Sequence, residues 1–263
     1  MLKVMITGYD KRSEIIKKYL LENLKNVDIY SYENTVDYDT NVVILPVPCT
    51  LDGITINHVK NTTNIADFFD RIPEKAIIIG AGFKNDRVFD LCNRDDFSYL
   101  NAIPTAEGAI ELAIKNTDTT LFLSNILITG FGRVSKLLAD RLLSFKGKIS
   151  IAARKSGDKA FIKALGAEYI PINELDNYIN RFDIVFNTVP YKLFGEKTLK
   201  NSKENALFME LASREAGFDK EAIEKYNIRY INAPGLPGKC APRTAGEIMA
   251  ETIINLLNEN NLC

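Results

Sequence analysis

Gly130 and Gly132 stand between an apolar run, Ile126-Leu-Ile-Thr129, and an amphipathic stretch over 132–145. A strand running into Gly-x-Gly and then a helix is the layout that sets a dinucleotide pyrophosphate on a helix N-terminus. The first glycine permits the tight turn, the second lets backbone amides approach the phosphates, and the helix dipole favours the anion. Gly130, Gly132 and the first helical residues, Arg133 and Val134, are therefore candidate cofactor ligands. The third position of the fingerprint carries Ser135 in place of a glycine. A second apolar run over 148–153 follows the helix and closes a βαβ unit, which favours nucleotide binding over an empty glycine turn.

The tip of that second strand is informative about which nucleotide. An NAD site places Asp or Glu there to bond the ribose 2′-hydroxyl, whereas this chain has Ala153-Arg154-Lys155-Ser156, with Arg154 twenty-two positions after Gly132. Two cations and a hydroxyl suit the 2′-phosphate of NADP, and a carboxylate would repel it. The cofactor expected is NADP, with NAD possible. The competing reading of Arg154 and Lys155 is a solvated basic pair in a surface loop.

The elements that must position these residues fall into two groups that divide near residue 104. Residues 105–243 alternate strands near 126–130, 148–153, 167–171, 183–189, 206–212 and 229–233 with helices at 132–145, 157–165, 174–181, 194–201 and 219–227, a doubly wound parallel sheet of Rossmann type. Residues 1–104 read as a second α/β domain on the substrate side. Its strands are placed at 2–7, 27–32, 41–47, 76–80 and 97–100, and its helices at 13–24, 64–71 and 84–93. Its turn Gly8-Tyr-Asp-Lys-Arg12 lacks a second glycine at Rossmann spacing. A helix over 105–117, after Pro104, would link the domains. A second over 244–260 opens on Thr244-x-x-Glu247, a capping box, and would join the first domain again. Such an arrangement predicts an interdomain cleft in which nicotinamide and substrate meet.

The loops expected to face that cleft carry the remaining candidates. Thr188 and Pro190, in Asn187-Thr-Val-Pro190, complete the cofactor set. The loop 232–246 is rich in proline and glycine, and Lys239 and Arg243 in it offer donors to an anion. For Arg214, after the fifth strand, and for Arg243, substrate carboxylate binding and an ordinary surface salt bridge both stand. The sole histidine, His58, lies in an alternating stretch of the first domain and reads as a strand-surface residue. With no histidine near the last sheet strands, the reaction is expected to need little proton chemistry or to use a carboxylate such as Glu107 or Glu210.

Composition bounds the rest. With 33 basic and 34 acidic side chains the net charge is −1, which gives no reason to expect a nucleic-acid or membrane-surface partner. The 263 residues suffice for two cores. No apolar run is long enough to span a bilayer, and a first strand beginning at Leu2 leaves no room for a signal peptide, so a cytoplasmic protein is expected. Cysteines at 49, 92, 240 and 263 have neither disulfide-framework nor metal-ligand spacing. No metal site is expected.

Several segments together resemble one family. Asn101-Ala-Ile-Pro-Thr-Ala-Glu-Gly108, the Gly-Phe-Gly-Arg turn, Asn187-Thr-Val-Pro190, Leu211-Ala-Ser-Arg214 and, above all, Ala233-Pro-Gly-Leu-Pro-Gly-Lys-Cys-Ala-Pro-Arg-Thr-Ala-Gly246 resemble dipicolinate synthase A of spore-forming bacteria. In that pattern a glycine is usual where Ser135 stands, an aspartate where Glu210 stands, a small aliphatic residue where Cys240 stands and a lysine where Arg243 stands. The resemblance implies NADP-dependent oxidation of dihydrodipicolinate, or of its hydroxylated tetrahydro precursor, to pyridine-2,6-dicarboxylate in the mother cell of a sporulating bacterium. It also implies a flavoprotein-like partner, dipicolinate synthase B. Lys239, Arg243 and Arg214 would then hold the small dicarboxylate substrate, and Glu107 or Thr105 would assist loss of water from a hydroxylated precursor. Two other readings stay open: a shikimate-dehydrogenase-like NADP oxidoreductase, although the first domain shows no convincing Lys/Asp pair, and a non-catalytic NADP-binding scaffold.

Overall fold

The computed structural model describes residues 1–57, 59, 62–212 and 217–262. Its chain divides into two compact units, residues 1–101 with 241–263, and residues 102–240. In chain order the elements are β1 (Leu2–Ile6), α1 (Lys11–Asn23), β2 (Val27–Ser31), β3 (Val42–Ile44), α2 (Ile65–Arg71), β4 (Ile77–Gly80), β5 (Val88–Asp90), α3 (Asp95–Lys115), β6 (Asn125–Thr129), α4 (Arg133–Ser144), β7 (Lys148–Ala153), α5 (Ser156–Ala164), β8 (Glu168–Pro171), β9 (Ile184–Asn187), α6 (Glu196–Lys200), β10 (Leu207–Glu210), α7 (Lys220–Lys225), β11 (Arg229–Asn232), α8 (Leu236–Cys240) and α9 (Pro242–Glu259).

The second unit holds a six-stranded sheet in the order β11-β10-β9-β6-β7-β8. Every pairing is parallel. This is the α/β, Rossmann-type doubly wound sheet expected from the sequence, with its order reversing between β6 and β9. Both faces are covered, which is why the strands read as near-continuous apolar runs. Ile126 and Ile128 of β6 pack with Ala106, Ala109 and Ile110 of α3 and Leu138 and Leu142 of α4. Leu127, pointing the other way, packs with Ile170, Leu175 and Phe208. On that face Phe194 and Phe218 stack with centroids 4.5 Å apart.

The first unit holds a five-stranded sheet in the order β2-β1-β3-β4-β5, also parallel throughout. Val4 and Ile6 face α1 and α9, while Met5 faces Phe68 and Phe69 of α2. The helix α9 buries Ile248, Met249, Ile253 and Leu257 in this core.

Five sequence expectations are corrected. The helix expected over 84–93 is the short strand β5 followed by one 3-10 turn at Leu91–Asn93, and β5 pairs with β4. The strand expected over 97–100 lies inside α3, because Asp95 and Asp96 supply acidic residues to a first helical turn. That helix therefore starts ten residues before 105, with Pro104 inside it. The helix expected over 174–181 is two 3-10 stretches, Ile172–Asn177 and Ile179–Arg181. Finally, Thr244 is not a cap: Ala241 holds the N-cap position of α9 and Pro242 its first turn, where the missing N–H costs nothing.

Candidate cofactor site

The glycine turn sits at the carboxyl end of β6, next to the reversal of strand order. Gly130 has φ +87°, a left-handed conformation that costs other residues energy. A Cβ there would also lie 2.8 Å from both Thr188 Oγ1 and Val189 Cγ2. Gly130 is thus required by the fold. Gly132 differs. Its φ of −84° and ψ of −167° are ordinary, and a Cβ there would meet nothing within 4 Å. Nothing in the protein demands a glycine at the N-cap of α4, so the absent side chain leaves room for something outside the chain, as close approach of a pyrophosphate requires.

Ser135 occupies the fingerprint's third position fully buried, and its hydroxyl donates to the Gly130 carbonyl at 2.7 Å. The hydroxyl closes the turn from within, and this bond accounts for the tolerance of serine where helix and strand pack tightly. Arg133 and Val134, both half-buried, open α4 beside Gly132.

Backbone pairing brings the 2′-phosphate candidates to the same edge. The Gly130 N–H donates to Ala152 O at 2.8 Å, so the turn is tied to the end of β7, and Arg154 follows two residues later. Lys155 is the N-cap residue of α5 and Ser156 its first residue. All three are exposed. Some other basic side chains of this unit pair with carboxylates, as Lys203 does with Asp183 at 2.5 Å, Lys192 with Asp219 at 2.7 Å and Arg181 with Glu168 at 2.7 Å. Arg154 and Lys155 make no such side-chain pair among the described residues. Two cations left without carboxylates beside a dinucleotide turn form a receptive place for a phosphate.

On the other side of β6, Thr188 closes the loop after β9. Its hydroxyl donates to Thr129 O at 2.6 Å, while Pro190 is exposed. Beneath this loop lies a buried polar chain that the sequence reading did not assemble. Thr129 Oγ1 donates to Asn187 Oδ1 at 2.5 Å, and Asn187 Nδ2 donates to Glu210 Oε1 and Oε2 at 2.8 and 3.0 Å. Glu210, fully buried, also accepts the amides of Ala212 and Gly217, each at 3.0 Å. A Cβ on Gly217 would overlap Asn187 Nδ2 and stand 2.5 Å from Glu210 Oε2. Glu210 is therefore built into the walls of the loops after β9 and β10, and its placement there accounts for its burial without a proton-transfer role. Polar residues ending three neighbouring apolar strands were the available signal.

The remaining candidates are distributed as follows. Glu107 is exposed, and its carboxylate lies 3.4 Å from Arg141 in the last turn of α4. That is about 14 Å along the helix from Gly132 at 1.5 Å per residue. Thr105 is half-buried in α3. Lys239 is exposed on α8, and Arg243 near the start of α9 pairs with Glu247 at 2.9 Å, its side chain 83% exposed. The hydrogen bond that Arg243 donates to Glu247 raises its pKa. Gly108 of α3 lies against α8, where a Cβ would be 2.7 Å from Cys240 Sγ; that thiol donates to Leu236 O and Pro104 O at 2.9 and 3.1 Å. His58 and Arg214 lie outside the described residues. No helix among the described residues is long and apolar enough to cross a membrane.

Residues 107–226 match the family model for the NAD binding domain of D-isomer specific 2-hydroxyacid dehydrogenases. A Methanococcus vannielii protein, shikimate dehydrogenase (NADP(+)), is 28% identical over 87% of this chain and 75% of its own. The crystal structure of dipicolinate synthase A from Bacillus halodurans superposes with a TM-score of 0.87 at 26% identity, covering 97% of each chain. The Bacillus subtilis (strain 168) dipicolinate synthase A is 31% identical over 98% of this chain and 96% of its own. A likeness at this level, extending over almost all of both sequences and joined to a glycine turn with room for phosphate, shows that the chain belongs to the dipicolinate synthase A family and that residues 102–240 form its dehydrogenase-type NAD(P)-binding domain.

Proposed function

We propose that this chain oxidises dihydrodipicolinate, or its hydroxylated tetrahydro precursor, to pyridine-2,6-dicarboxylate with NADP as acceptor, working with the flavoprotein-like dipicolinate synthase B. The observation that carries the cofactor half is the pair Arg154 and Lys155, uncompensated by carboxylates beside the Gly130–Gly132 turn. The substrate half rests on likeness to the Bacillus subtilis protein.

The residues fit the cofactor. Amides of the turn at Gly132 and Arg133 would hold the pyrophosphate, Arg154, Lys155 and Ser156 the 2′-phosphate, and the Thr188–Pro190 loop would border the cofactor beyond β9. When bound, the oxidised nicotinamide supplies a two-electron hydride acceptor, and the ring loses one further proton as it becomes aromatic. Aromatisation drives the reaction, so the protein mainly has to hold a planar dicarboxylate in place and exclude water. Lys239, Arg243 and Arg214 are the cations proposed for its carboxylates. Thr105 and Glu107 are proposed to assist dehydration of a hydroxylated precursor, and for Glu107 this requires its carboxylate to leave Arg141.

The test mixes the purified chain, with and without its flavoprotein-like partner, with enzymatically generated dihydrodipicolinate and NADP. Dipicolinate is followed by its ultraviolet absorbance and NADPH by its own, with shikimate as a control. Expected is NADPH formed in step with dipicolinate and none with shikimate. No dipicolinate above the uncatalysed rate in either arm overturns the proposal, and NADPH formed from shikimate supports the other oxidoreductase reading.

A further inference from the structure

The sheet of the first unit reverses its strand order between β1 and β3. Open α/β sheets bind ligands beyond the carboxyl ends of their strands at such a reversal. Here the flanking loops are Thr7–Asp10, leading into α1, and Leu45–Pro48, and they are pressed together at Gly8, where a Cβ would overlap Ser13 Oγ and stand 3.2 Å from Pro46 Cβ. One side chain bridges them. Arg12, second residue of α1, donates through a terminal guanidinium nitrogen to Val47 O across the reversal. The same nitrogen lies 3.6 Å from Asp10 Oδ2, and the side chain is only 12% exposed.

This placement is unfavourable for a cation that only has to fold. Burial is the largest influence on its pKa and lowers it, although a guanidinium remains charged. The positive end of α1 repels it. Asp10 only partly offsets this: its Oδ1 accepts from the Ser13 amide at 2.9 Å and hydroxyl at 2.6 Å as the cap of α1, and its Oδ2 faces Arg12 at 3.6 Å. Nε and the other terminal nitrogen of Arg12 have no partner among the described residues.

We propose that Arg12 is the carboxylate anchor of the first unit, its planar fork receiving one carboxylate of the dicarboxylate substrate at the β1–β3 reversal. A carboxylate matches the geometry of a guanidinium edge, and the N–H groups on Nε and the other terminal nitrogen are the donors left for it beside Asp10. The inference rests on the substrate class proposed above and adds to it a residue that the glycine pattern passes over.

The test is calorimetric titration of pyridine-2,6-dicarboxylate into the NADP-loaded full chain, for wild type, Arg12→Gln and Arg12→Lys, with kinetics on the dihydropyridine. Glutamine keeps an N–H donor but carries no charge, and lysine keeps the charge without the fork. Arg12→Gln is expected to weaken dicarboxylate binding about tenfold or more and to raise KM for the dihydropyridine, with KM for NADP unchanged. Arg12→Lys is expected to recover part of the loss, and it carries the test if the glutamine variant does not fold. Wild-type affinity in both variants overturns the role of Arg12 and leaves the proposed function standing. A wild-type chain that neither binds nor forms dipicolinate overturns the proposed function, and this inference with it.

Discussion

Replacing Gly132 by valine should separate cofactor binding from folding. The backbone there is ordinary for any residue and the space beyond it is open to 4 Å. The cost to the fold is that of a poorer N-cap, about 1 kcal/mol. Gly130→Ala is the contrasting control: φ of +87° costs about 1–2 kcal/mol, and contacts of 2.8 Å to Thr188 and Val189 add roughly 1–3 more. Binding should rank the other way. If valine at 132 keeps the phosphate from two amides, each worth about 1.5–3 kcal/mol to a charged partner, NADP affinity should fall more than about a hundredfold. Urea unfolding followed by circular dichroism gives the first quantity and calorimetry the second. Retained NADP affinity within about threefold of wild type, or destabilisation equal to that of Gly130→Ala, would refute the assignment of Gly132 to the ligand.

Arg154→Ala should weaken NADP about tenfold and leave NAD nearly unchanged, one charge-assisted contact being lost; equal affinity of the wild type for both nucleotides would remove the 2′-phosphate from this position. Asn187→Leu removes the side-chain amide that donates to both oxygens of the buried Glu210 and should cost roughly 3 kcal/mol or more in urea unfolding, whereas a change under about 1 kcal/mol would show that the chain of bonds is not what holds these loops. In the first unit, Arg94 reaches both Asp96 and Glu259, at 2.8 and 2.6 Å, and its hydrogen bonds hold both carboxyls below their ordinary values of 3.8 and 4.5. A depressed carboxyl contributes stability that is present above its ordinary value and lost as pH falls through the lowered one. The stability gap between wild type and Arg94→Met should therefore be full at about pH 6 and close progressively below about pH 4.5, and a gap constant down to about pH 3 would contradict this.

What the sequence disclosed and what it withheld follow from how local each signal is. Central strands such as Ile126–Ile128 are covered on both faces, so they stand out as apolar runs, and the glycine turn with Arg154 behind it is a contiguous pattern. Three residues of β5, held by pairing with β4, are too few to show a period. Pro104 suggested a helix start because proline favours first turns, yet the helix was already under way from Asp95. Pro242 in turn set the start of α9 ahead of the Thr244 pattern. Site elements made by pairing across the chain were invisible for the same reason: Asn187 and Glu210 are 23 positions apart, Arg12 and Val47 are 35 apart, and only the parallel sheet makes them neighbours.

The route of the chain through its two units also bears on how the protein is made. Residues 102–240 are contiguous, whereas the first unit needs both its opening 101 residues and a stretch that begins at Ala241. Its core is lined by Ile248, Met249, Ile253 and Leu257 of α9, so during synthesis the part that emerges first must wait with an open apolar face until the nucleotide-binding unit has been translated in full. Domains emerging from a ribosome ordinarily fold in the order in which they appear. Here the order is inverted: in a released chain truncated after residue 240, a protease should spare the later unit and digest the earlier one.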